Sequence, residues 1–530
     1  MRALIRLIWV LVAIAASGCA KRGSISGGAK DTLAPVLESS VPKNYSTGFK
    51  GNEIRLNFNE YVKLKDVEKN LIVSPPMKTP PVISPTTASK TIRISIKDTL
   101  LPNTTYSLNF GQSIEDNNES NPFPQFKYVF STGSHIDSLK LSGIVRDAYN
   151  QVPDPFVTVL LYEADSTYSD SIVYKNSPRY VTNTMDSATT FQFENLKAGR
   201  YKLVALKDEA GNYKFDPKTD KIGFQKAFVT VPGDTIYELE LFRESIPFRA
   251  MKPVLGEANK LIMPIEGKPN GIAVALRSAG VEIPSVTTKV EGKDSLNIWF
   301  RPLKADSLDV SVTRGTYKQD FNVRIKAQKA DTLSLRPKFS GTLPLRSPFV
   351  LKSTRPISTI DESLIRIRAR DSSMVSSKVT YDPFTMELTL DFKREPLALY
   401  KIELLPGSIT DFYGAKNDSL SFQVATKNTS DYGNLRLTLE NVRQYPVIVE
   451  LAKANGETVT SAYVTEPGVI SFDLLDPALY TVRIIYDANG NREWDSGNYL
   501  ESRQAEEVVY FPRQVDVRAN WDVDQPITLP

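Results

Sequence analysis

Two stretches of this 530-residue chain decide its fold. They are FENLKAGRYKLVALKDEAGNYKFD, residues 193–216, and FDLLDPALYTVRIIYDANGNREWD, residues 472–495, and they align without a gap. The alignment pairs Phe193 with Phe472, Leu196 with Leu475, Tyr201 with Tyr480, Asp208 with Asp487, Asn212 with Asn491 and Asp216 with Asp495. Candidate strands precede both stretches, so each stretch predicts one half of a repeated β-sandwich.

Apolar and polar residues alternate along most of the chain, as in NEIRLNFNEYV (52–62) and KTIRISIKD (90–98). Clusters of Gly, Pro, Asn and Asp interrupt these runs, a pattern typical of half-buried strands joined by turns. IDESLIRIRARDSS (360–373) fits a short helix or a strand, and KLKDVEKN (63–70) fits a solvated loop or a short helix. The pattern predicts an elongated all-β protein of tandem antiparallel β-sandwich domains.

The first residues, MRALIRLIWVLVAIAASGCAKRG (1–23), place Arg2 and Arg6 before an apolar run that ends near Ala16. The run is too short to span a bilayer comfortably and matches the apolar region of a secretory signal. Small residues before Cys19 resemble a bacterial lipoprotein signal, which implies cleavage before Cys19 and lipidation of that residue. The alternative is an ordinary signal peptide with an incidental cysteine.

Composition excludes several classes of chemistry. His135 is the only histidine and Cys19 the only cysteine, so a zinc site with His and Cys ligands, a Ser-His-Asp triad and a Cys-His pair are all excluded. The net charge of +4 gives no case for nucleic-acid binding, and we find neither a phosphate-binding glycine loop nor a dinucleotide fingerprint. Paired carboxylates, as in glycosidases, stay open because acidic residues are plentiful.

The repeated unit resembles the prealbumin-like bacterial β-sandwiches of the Cna-B type. DTLAPVLESSVPKNYSTGFKGNEIRLNFNE (31–60) resembles the start of a bacterial Ig-like domain of the S-layer-associated type, through Pro35, Pro42, Asn44 and the strand from Ile54 to Glu60. The end of that domain, LPNTTYSLNFGQSIEDNNES (101–120), is echoed by LALYKIELLPGSITDFYGAKNDSL (397–420).

These repeats predict the domain boundaries. We expect a signal peptide at 1–18, a lipidated Cys19 with a linker over 19–34, an Ig-like domain at 35–134, a prealbumin-like domain at 135–245, an unassigned β-sandwich-like region at 246–338, a second Ig-like domain at 339–428 and a second prealbumin-like domain at 429–530. The segment Gly27–Pro35 and VDVRANWD (515–522) resemble a group of Bacteroidota outer-membrane lipoproteins.

The loop DANGNREWDSGN (487–498) is a candidate Ca²⁺ site, because oxygen-bearing side chains alternate along it. The candidate ligands are Asp487, Asn489, Asn491, Glu493 and Asp495. The spacing is not that of an EF-hand, because Arg492 and Asn498 stand where the glycine and the final glutamate belong. The alternative is an Asx-rich turn between two strands.

Asp-[Ser/Thr] followed by Leu, Ile, Ala or Thr occurs eleven times and resembles the O-glycosylation acceptor of exported Bacteroidota proteins. The candidate acceptors are Thr32, Thr99, Ser138, Ser166, Ser171, Ser187, Thr235, Ser295, Ser307, Thr332 and Ser419. The alternative is that these dipeptides mark turns before strands. Trp299, Trp494 and Trp521 are candidates for glycan binding, against an alternative role in core or corner packing.

These observations favour a non-catalytic, lipid-anchored scaffold or binding subunit of an envelope protein complex at a Gram-negative outer membrane. Its partners would be the membrane, through the lipid, and an envelope protein. Ala20, Lys21, Arg22 and Gly23 follow Cys19 in place of the acidic cluster of surface-directed lipoproteins, which favours the periplasmic face. The alternatives are a surface adhesin or glycan-binding lipoprotein and, less favoured, a carboxylate-dependent glycosidase.

Overall fold

The computed structural model describes residues 31–184, 189–257, 259–326 and 332–530. Cys19 and Ser187 lie outside the described residues. Almost every regular element is a β-strand, and the strands form successive pairs of packed sheets. This confirms the predicted all-β class of elongated, tandem antiparallel sandwiches. Within the described residues, no helix is both long enough and apolar enough to cross a membrane.

The first unit contains eight strands and one short helix, α1 (Val67–Asn70), which lies within KLKDVEKN. The strands are β1 (Leu37–Val41), β2 (Glu53–Leu64), β3 (Ile72–Ser74), β4 (Val82–Ser84), β5 (Ser89–Ser95), β6 (Thr105–Asn109), β7 (Ile114–Asp116) and β8 (Lys127–Ser131). One sheet has the order β1-β2-β5-β4, with β7 also paired to β2, and the other has the order β3-β6-β8.

The second unit contains the first of the two aligned stretches. Its elements are β9 (Leu139–Asp147), β10 (Thr158–Glu163), α2 (Ile172–Lys175), β11 (Tyr180–Asn183), β12 (Thr190–Leu196), β13 (Gly199–Lys207), β14 (Lys221–Phe224), β15 (Val229–Val231) and β16 (Ile236–Leu241). A larger sheet, β11-β10-β13-β14 with β15 on β13, packs against a smaller sheet, β12-β9-β16.

The third unit is a sandwich in the region where the sequence suggested no family. Its strands are β17 (Arg249–Ala250), β18 (Val254–Leu255), β19 (Lys260–Glu266), β20 (Ala273–Ser278), β21 (Val281–Ile283), β22 (Ser285–Lys289), β23 (Ser295–Phe300), β24 (Ser307–Arg314) and β25 (Tyr317–Arg324). The two sheets are β17-β19-β23-β22, with β18 on β19, and β21-β20-β24-β25.

The fourth unit contains β26 (Leu335–Pro337), β27 (Gly341–Thr342), β28 (Phe349–Ser353), β29 (Ile357–Ile360), a 3₁₀ turn (Glu362–Leu364), β30 (Ile365–Ala369), β31 (Ser377–Asp382), β32 (Glu387–Phe392), β33 (Leu399–Leu404), β34 (Ile409–Asp411) and β35 (Leu420–Ala425). Its sheets are β26-β28-β32-β31, β27-β35-β33-β30 and β29-β34. The segment 360–373 therefore forms a 3₁₀ turn followed by a strand. Because β26 pairs with β28, the fourth unit begins by Leu335, slightly before the predicted boundary.

The fifth unit repeats the topology of the second. After a 3₁₀ turn (Thr429–Asp431) come β36 (Gly433–Glu440), β37 (Val447–Ala452), β38 (Thr458–Val464), β39 (Val469–Leu475), β40 (Ala478–Tyr486), β41 (Val508–Tyr510), β42 (Val515–Val517) and β43 (Asp522–Thr528). The sheets β38-β37-β40-β41, with β42 on β40, and β39-β36-β43 correspond strand for strand to those of the second unit.

In both copies the smaller sheet departs from the antiparallel expectation, because its last strand pairs in parallel with its first: β16 with β9 and β43 with β36. β27 and β35 of the fourth unit also pair in parallel. Such pairs arise where the chain crosses to the other sheet before it returns, so the later strand runs in the same direction as the earlier one.

The aligned tyrosines occupy the same position in the two copies. Tyr201 and Tyr480 are both buried at the start of the long strands β13 and β40. The Tyr201 hydroxyl donates to the carbonyl of Lys197 at 2.9 Å, and the Tyr480 hydroxyl donates to the carbonyl of Asp476 at 2.6 Å. In both copies the tyrosine hydroxyl donates to the carbonyl of the residue four positions earlier in the chain. Because this contact fixes the spacing, the two sequences align without a gap.

Each unit has its own apolar core, which suits a chain with a single cysteine. One expectation needs correction: β13 and β40 are buried on both faces rather than half-buried. A further apolar cluster lies on the outer face of the larger sheet of the second unit, and it includes Leu160, Val204, Phe224 and Tyr499. Tyr499 belongs to the fifth unit, so this cluster joins units that are distant in sequence.

Candidate functional site

The candidate site is the contact between the second and fifth units, which we call the clasp. It consists of the loop 487–506, between β40 and β41, together with the second-unit residues that the loop covers. The loop begins with the DANGNREWDSGN stretch. Its geometry shows why the aspartates of the repeat stand where they do.

Asp487 and its counterpart Asp208 hold the loop backbone in the same way. The Asp487 carboxylate accepts the backbone N–H groups of Gly490, Asn491 and Arg492 at 2.8–3.2 Å. The Asp208 carboxylate accepts those of residues 210, 211 and 213 at 2.7–3.1 Å. Arg492 adopts a left-handed φ of 68°, and Tyr213 at the matching position has 59°. Each aspartate therefore stabilises a strained turn by satisfying its backbone donors.

The other predicted Ca²⁺ ligands are also hydrogen-bonded within the protein. Asp495 accepts the side-chain amides of Asn489 and Asn491, both at 2.6 Å. Glu493 forms an ion pair with Lys268 of the third unit. In the described part of the chain, no group of three or more His, Cys, Asp or Glu side chains is placed to hold a metal ion. The Ca²⁺ assignment stays a prediction, while the turn chemistry accounts for the hydrogen bonds of the loop.

Tyr499 is the centre of the clasp. Its side chain is buried and lies edge-on to Phe224 at 5.1 Å between ring centroids, and its hydroxyl is 3.4 Å from the hydroxyl of Tyr168. Its backbone N–H donates to the carboxylate of Glu244. Burial raises the Tyr499 pKa, so the phenol stays neutral. One side chain of the fifth unit therefore completes an apolar pocket of the second.

Gly497 allows the loop of the fifth unit to approach the second unit closely. A Cβ atom at this position would lie 2.4 Å from the ring of Phe242 and 2.6 Å from the carbonyl oxygen of Arg503. Real Cβ atoms do not approach ring carbons or backbone oxygens so closely, so only glycine fits here. The side chain of Gln504 adds a hydrogen bond to the Phe224 carbonyl at 2.8 Å.

Two ionisable groups of the second unit are buried beneath the loop. Lys202 is almost completely buried, its ammonium lies 5.8 Å from the centroid of the Tyr499 ring, and it donates to the carbonyl of Lys226 at 3.1 Å. Burial lowers the pKa of Lys202 and raises the pKa of Glu244. The protonation of both groups is therefore coupled to closure of the clasp.

Tyr149 forms a second contact between the same two units. Its ring lies 4.8 Å from that of Trp494 and 4.2 Å from the guanidinium of Arg483, which also pairs with Glu450. The Tyr149 hydroxyl reaches Glu450 at 3.3 Å. The otherwise unexpected arginine in the middle of β40 therefore has a cation–π partner and an ion-pair partner.

Contacts also join the second unit to the third, the third to the fourth and the fourth to the fifth. Together with the clasp, these contacts form a closed circuit. The second and third units share the ion pair Lys218–Glu266 at 2.8 Å, and the fourth and fifth share Lys427–Asp476 at 3.5 Å. Between the third and fourth units, Trp299 packs with Met386 and Phe412. At the same junction, the Tyr413 hydroxyl donates to the Asn259 carbonyl at 3.1 Å.

The predicted tryptophans are used mostly for packing. Trp299 is buried and donates to Thr288 at 2.9 Å, so it is not available to a glycan. Trp494 is half-buried in the clasp, where its indole N–H donates to the Glu506 carbonyl. Trp521 is 54% exposed, with the guanidinium of Arg518 5.1 Å from its ring. Only the last of the three suits a surface contact.

The predicted glycan acceptors lie at strand ends and turns, and none of those described is buried. Seven are exposed and three are half-buried: the exposed ones are Thr32, Thr99, Ser138, Ser166, Thr235, Thr332 and Ser419, and the half-buried ones are Ser171, Ser295 and Ser307. This placement suits both the turn explanation and modification, so modification stays a prediction.

Comparison with known proteins supports the first unit most directly. The family model of the bacterial Ig-like domain matches residues 31–132, which confirms the Ig-like character predicted there. No curated protein sequence matches the chain.

Several solved structures match the chain at low identity. Domains 1–6 of the surface layer protein SbsC are 11% identical, with 91% of this chain and 67% of that chain covered and a TM-score of 0.15. BcpA, the major pilin subunit of Bacillus cereus, is 12% identical over 74% and 99%, with a TM-score of 0.14. SGBP-B from the Bacteroides ovatus mixed-linkage glucan utilization locus, solved with a heptasaccharide, is 11% identical over 72% and 91%, with a TM-score of 0.18. At these TM-scores the likeness carries no argument about function.

Proposed function

We propose that this chain is a non-catalytic, lipid-anchored scaffold of a Gram-negative outer membrane, and that it holds another envelope protein. The observation that carries the proposal is the clasp. It fixes the fifth unit on the second through Tyr499, Gly497 and Glu244, and so brings distant parts of the chain into one frame. A frame that closes on itself can present loops from several units to a partner at fixed distances.

The attachment to the membrane rests on the lipoprotein-like signal before Cys19. The described chain begins at Asp31, and the first strand, β1, starts at Leu37. The linker 19–34 would separate the lipid from the first Ig-like unit. The absence of an acidic cluster after Cys19 favours the periplasmic face, where a scaffold would meet other envelope proteins.

The test is the recovery of a partner with the native lipoprotein in mild detergent after crosslinking in cells. We expect one reproducible envelope protein with the wild type and with Tyr61→Ala, a change of an exposed residue in the first unit, outside the clasp. We expect weaker recovery with Tyr499→Ala, because the frame loosens. If no partner is recovered with the wild type, the scaffold role is wrong.

The anchor and its face are tested separately. Cys19→Ser should move the protein from the membrane fraction to the soluble periplasmic fraction, and retention in the membrane fraction would contradict lipid anchoring. Protease added to intact cells should leave the wild-type protein whole. Digestion would place the protein on the cell surface and favour the adhesin alternative.

Two alternatives make different predictions. A surface adhesin or glycan-binding lipoprotein would be exposed to protease on intact cells, and this exposure would distinguish it from a periplasmic scaffold. A carboxylate-dependent glycosidase would release reducing sugar, and replacing one carboxylate by its amide would abolish that release. An unmodified polypeptide mass of the native protein would exclude O-glycosylation.

A further inference from the structure

We propose that the cleft between the first and second units binds an uncharged oligosaccharide. The cleft is a cavity of about 680 Å³ that both units line. That volume lies within the range of sites for small molecules. This site is separate from the clasp and from the three tryptophans, and it does not depend on the scaffold role.

The wall from the second unit is the outer face of its smaller sheet. Along β9 and β12, core residues alternate with residues that face outward, so Ser142, Thr190 and Gln192 point away from the core. The first unit lies opposite and contributes the region around α1 together with the loops on either side of β7. The cleft is therefore enclosed by a rigid sheet on one side and by loops on the other.

The lining combines polar and apolar surface and carries no net charge. Two cations and two carboxylates balance, and Lys127 is paired with Glu194 at 2.9 Å and Glu115 with Lys63 at 3.4 Å. Amide and hydroxyl side chains outnumber the charged ones; they are Asn70, Asn109, Gln112, Gln125, Asn183, Gln192, Ser120, Ser142, Thr182 and Thr190. Neither an anion nor a cation would find a matching excess of charge here, so the ligand is neutral.

Several of these groups have unused hydrogen-bonding capacity. Within the described part of the chain, no hydrogen bond involves the side chain of Gln192, Asn183, Ser142 or Thr190. Each amide offers a carbonyl acceptor and two N–H donors, and each hydroxyl is both donor and acceptor. A ligand with many hydroxyl groups, which also donate and accept, matches this set best.

Apolar side chains at the rim of the cleft would contact the C–H faces of a sugar ring. Phe156 is 49% exposed and Ile236 is 74% exposed, and both line the cleft. Phe156 also has a left-handed φ of 53°, a strained conformation for a bulky residue. A pyranose ring has C–H faces that pack on such side chains while its hydroxyls meet the amides, the mixture of contacts usual in ligand sites.

The same geometry disfavours a peptide. Peptides commonly add to sheets by pairing with a free strand edge. β12 is one of the two edge strands of this sheet, with β16 at the other edge, and the Gln192 carbonyl of β12 already accepts the Thr182 hydroxyl at 3.0 Å. Recognition at this wall therefore depends on side chains, as for a saccharide.

The experiment uses the purified full-length lipoprotein in detergent. It is applied to an array of neutral oligosaccharides of hexoses and N-acetylhexosamines, with uronic-acid and sulfated oligosaccharides beside them, and the best binder is titrated by calorimetry. We expect binding of neutral members only, and at least a tenfold loss of affinity in Gln192→Ala and in Phe156→Gly. Ser471→Ala, at the position in the fifth unit that aligns with Gln192, should bind as the wild type does.

Three results would overturn the proposal: binding of no neutral oligosaccharide, equal binding of the acidic ones, or binding that both cleft variants retain. Hydrogen exchange of each variant confirms that the two units are folded. Thr190→Arg, which fills the cleft from an exposed position, gives a further test if one of the other variants is unstable.

Discussion

Replacing Tyr499 with alanine should open the clasp without unfolding either unit. The side chain is buried against Phe224, yet it belongs to a loop outside the core of its own unit. Truncating a buried aromatic side chain costs about 3–5 kcal/mol, and we take the lower value because an interface relaxes more readily than a core. Since 1.4 kcal/mol changes an equilibrium tenfold, the ratio of open to closed molecules should rise about 150-fold.

The assay is hydrogen exchange read by mass spectrometry on peptides that cover β14 (221–224) and residues 496–506. Both peptides should exchange much faster in Tyr499→Ala, and peptides from β9 and β36 should not change. Tyr61→Ala is the matched control, because its side chain is 58% exposed on β2 of the first unit, away from the clasp. Unchanged exchange of both clasp peptides in Tyr499→Ala would refute the reasoning.

Three further predictions concern the same repeat. Gly497→Ala should speed exchange of residues 496–506, because the new methyl group would overlap the Phe242 ring; Gly468→Ala, where nothing lies within 4 Å, should have no such effect. Burial raises the pKa of Glu244 by more than the hydrogen bond from the Tyr499 N–H lowers it, so the Glu244 contribution to clasp stability is complete below about pH 4.5 and is lost as the pH rises through the raised pKa. Exchange of the clasp, corrected for its intrinsic pH dependence, should therefore accelerate over that interval, and Glu244→Gln should remove the effect. Tyr201→Phe and Tyr480→Phe should each destabilise their own unit by about 1 kcal/mol in urea unfolding, because each removes one buried hydrogen bond; equal midpoints for variant and wild type would contradict this.

The sequence predicted what is local to a repeat. The pairing of Tyr201 with Tyr480 and of Asp208 with Asp487 follows from hydrogen bonds within about five residues, so the same letters recur at the same spacing. The strands were predicted from the alternation of apolar and polar residues. The Ig-like start of the first unit was predicted from the resemblance of its prolines and its strand 54–60 to the family pattern. For residues 360–373 a strand was one of two open alternatives, and the segment forms a 3₁₀ turn followed by a strand.

The clasp could not be predicted in the same way. Tyr499 and Phe224 are far apart in the sequence, and a lone tyrosine in a Gly- and Asn-rich loop resembles any surface residue. One signal was available: LVAL in β13 and VRII in β40 are nearly continuous apolar runs, which indicate burial on both faces. The packing role expected for Trp299 is observed, but its partners could not be named in advance, because Met386 and Phe412 belong to another unit.

The clasp also determines how the molecule would carry tension. Residues 224 and 499 are held together, so a pull between the first unit and the C-terminal end would pass from the second unit directly into the fifth. The third and fourth units lie on the longer, parallel part of the circuit and would bear less of the load while the clasp holds. Its rupture would free the third and fourth units to extend before any sandwich unfolded, so the chain would lengthen in steps under tension.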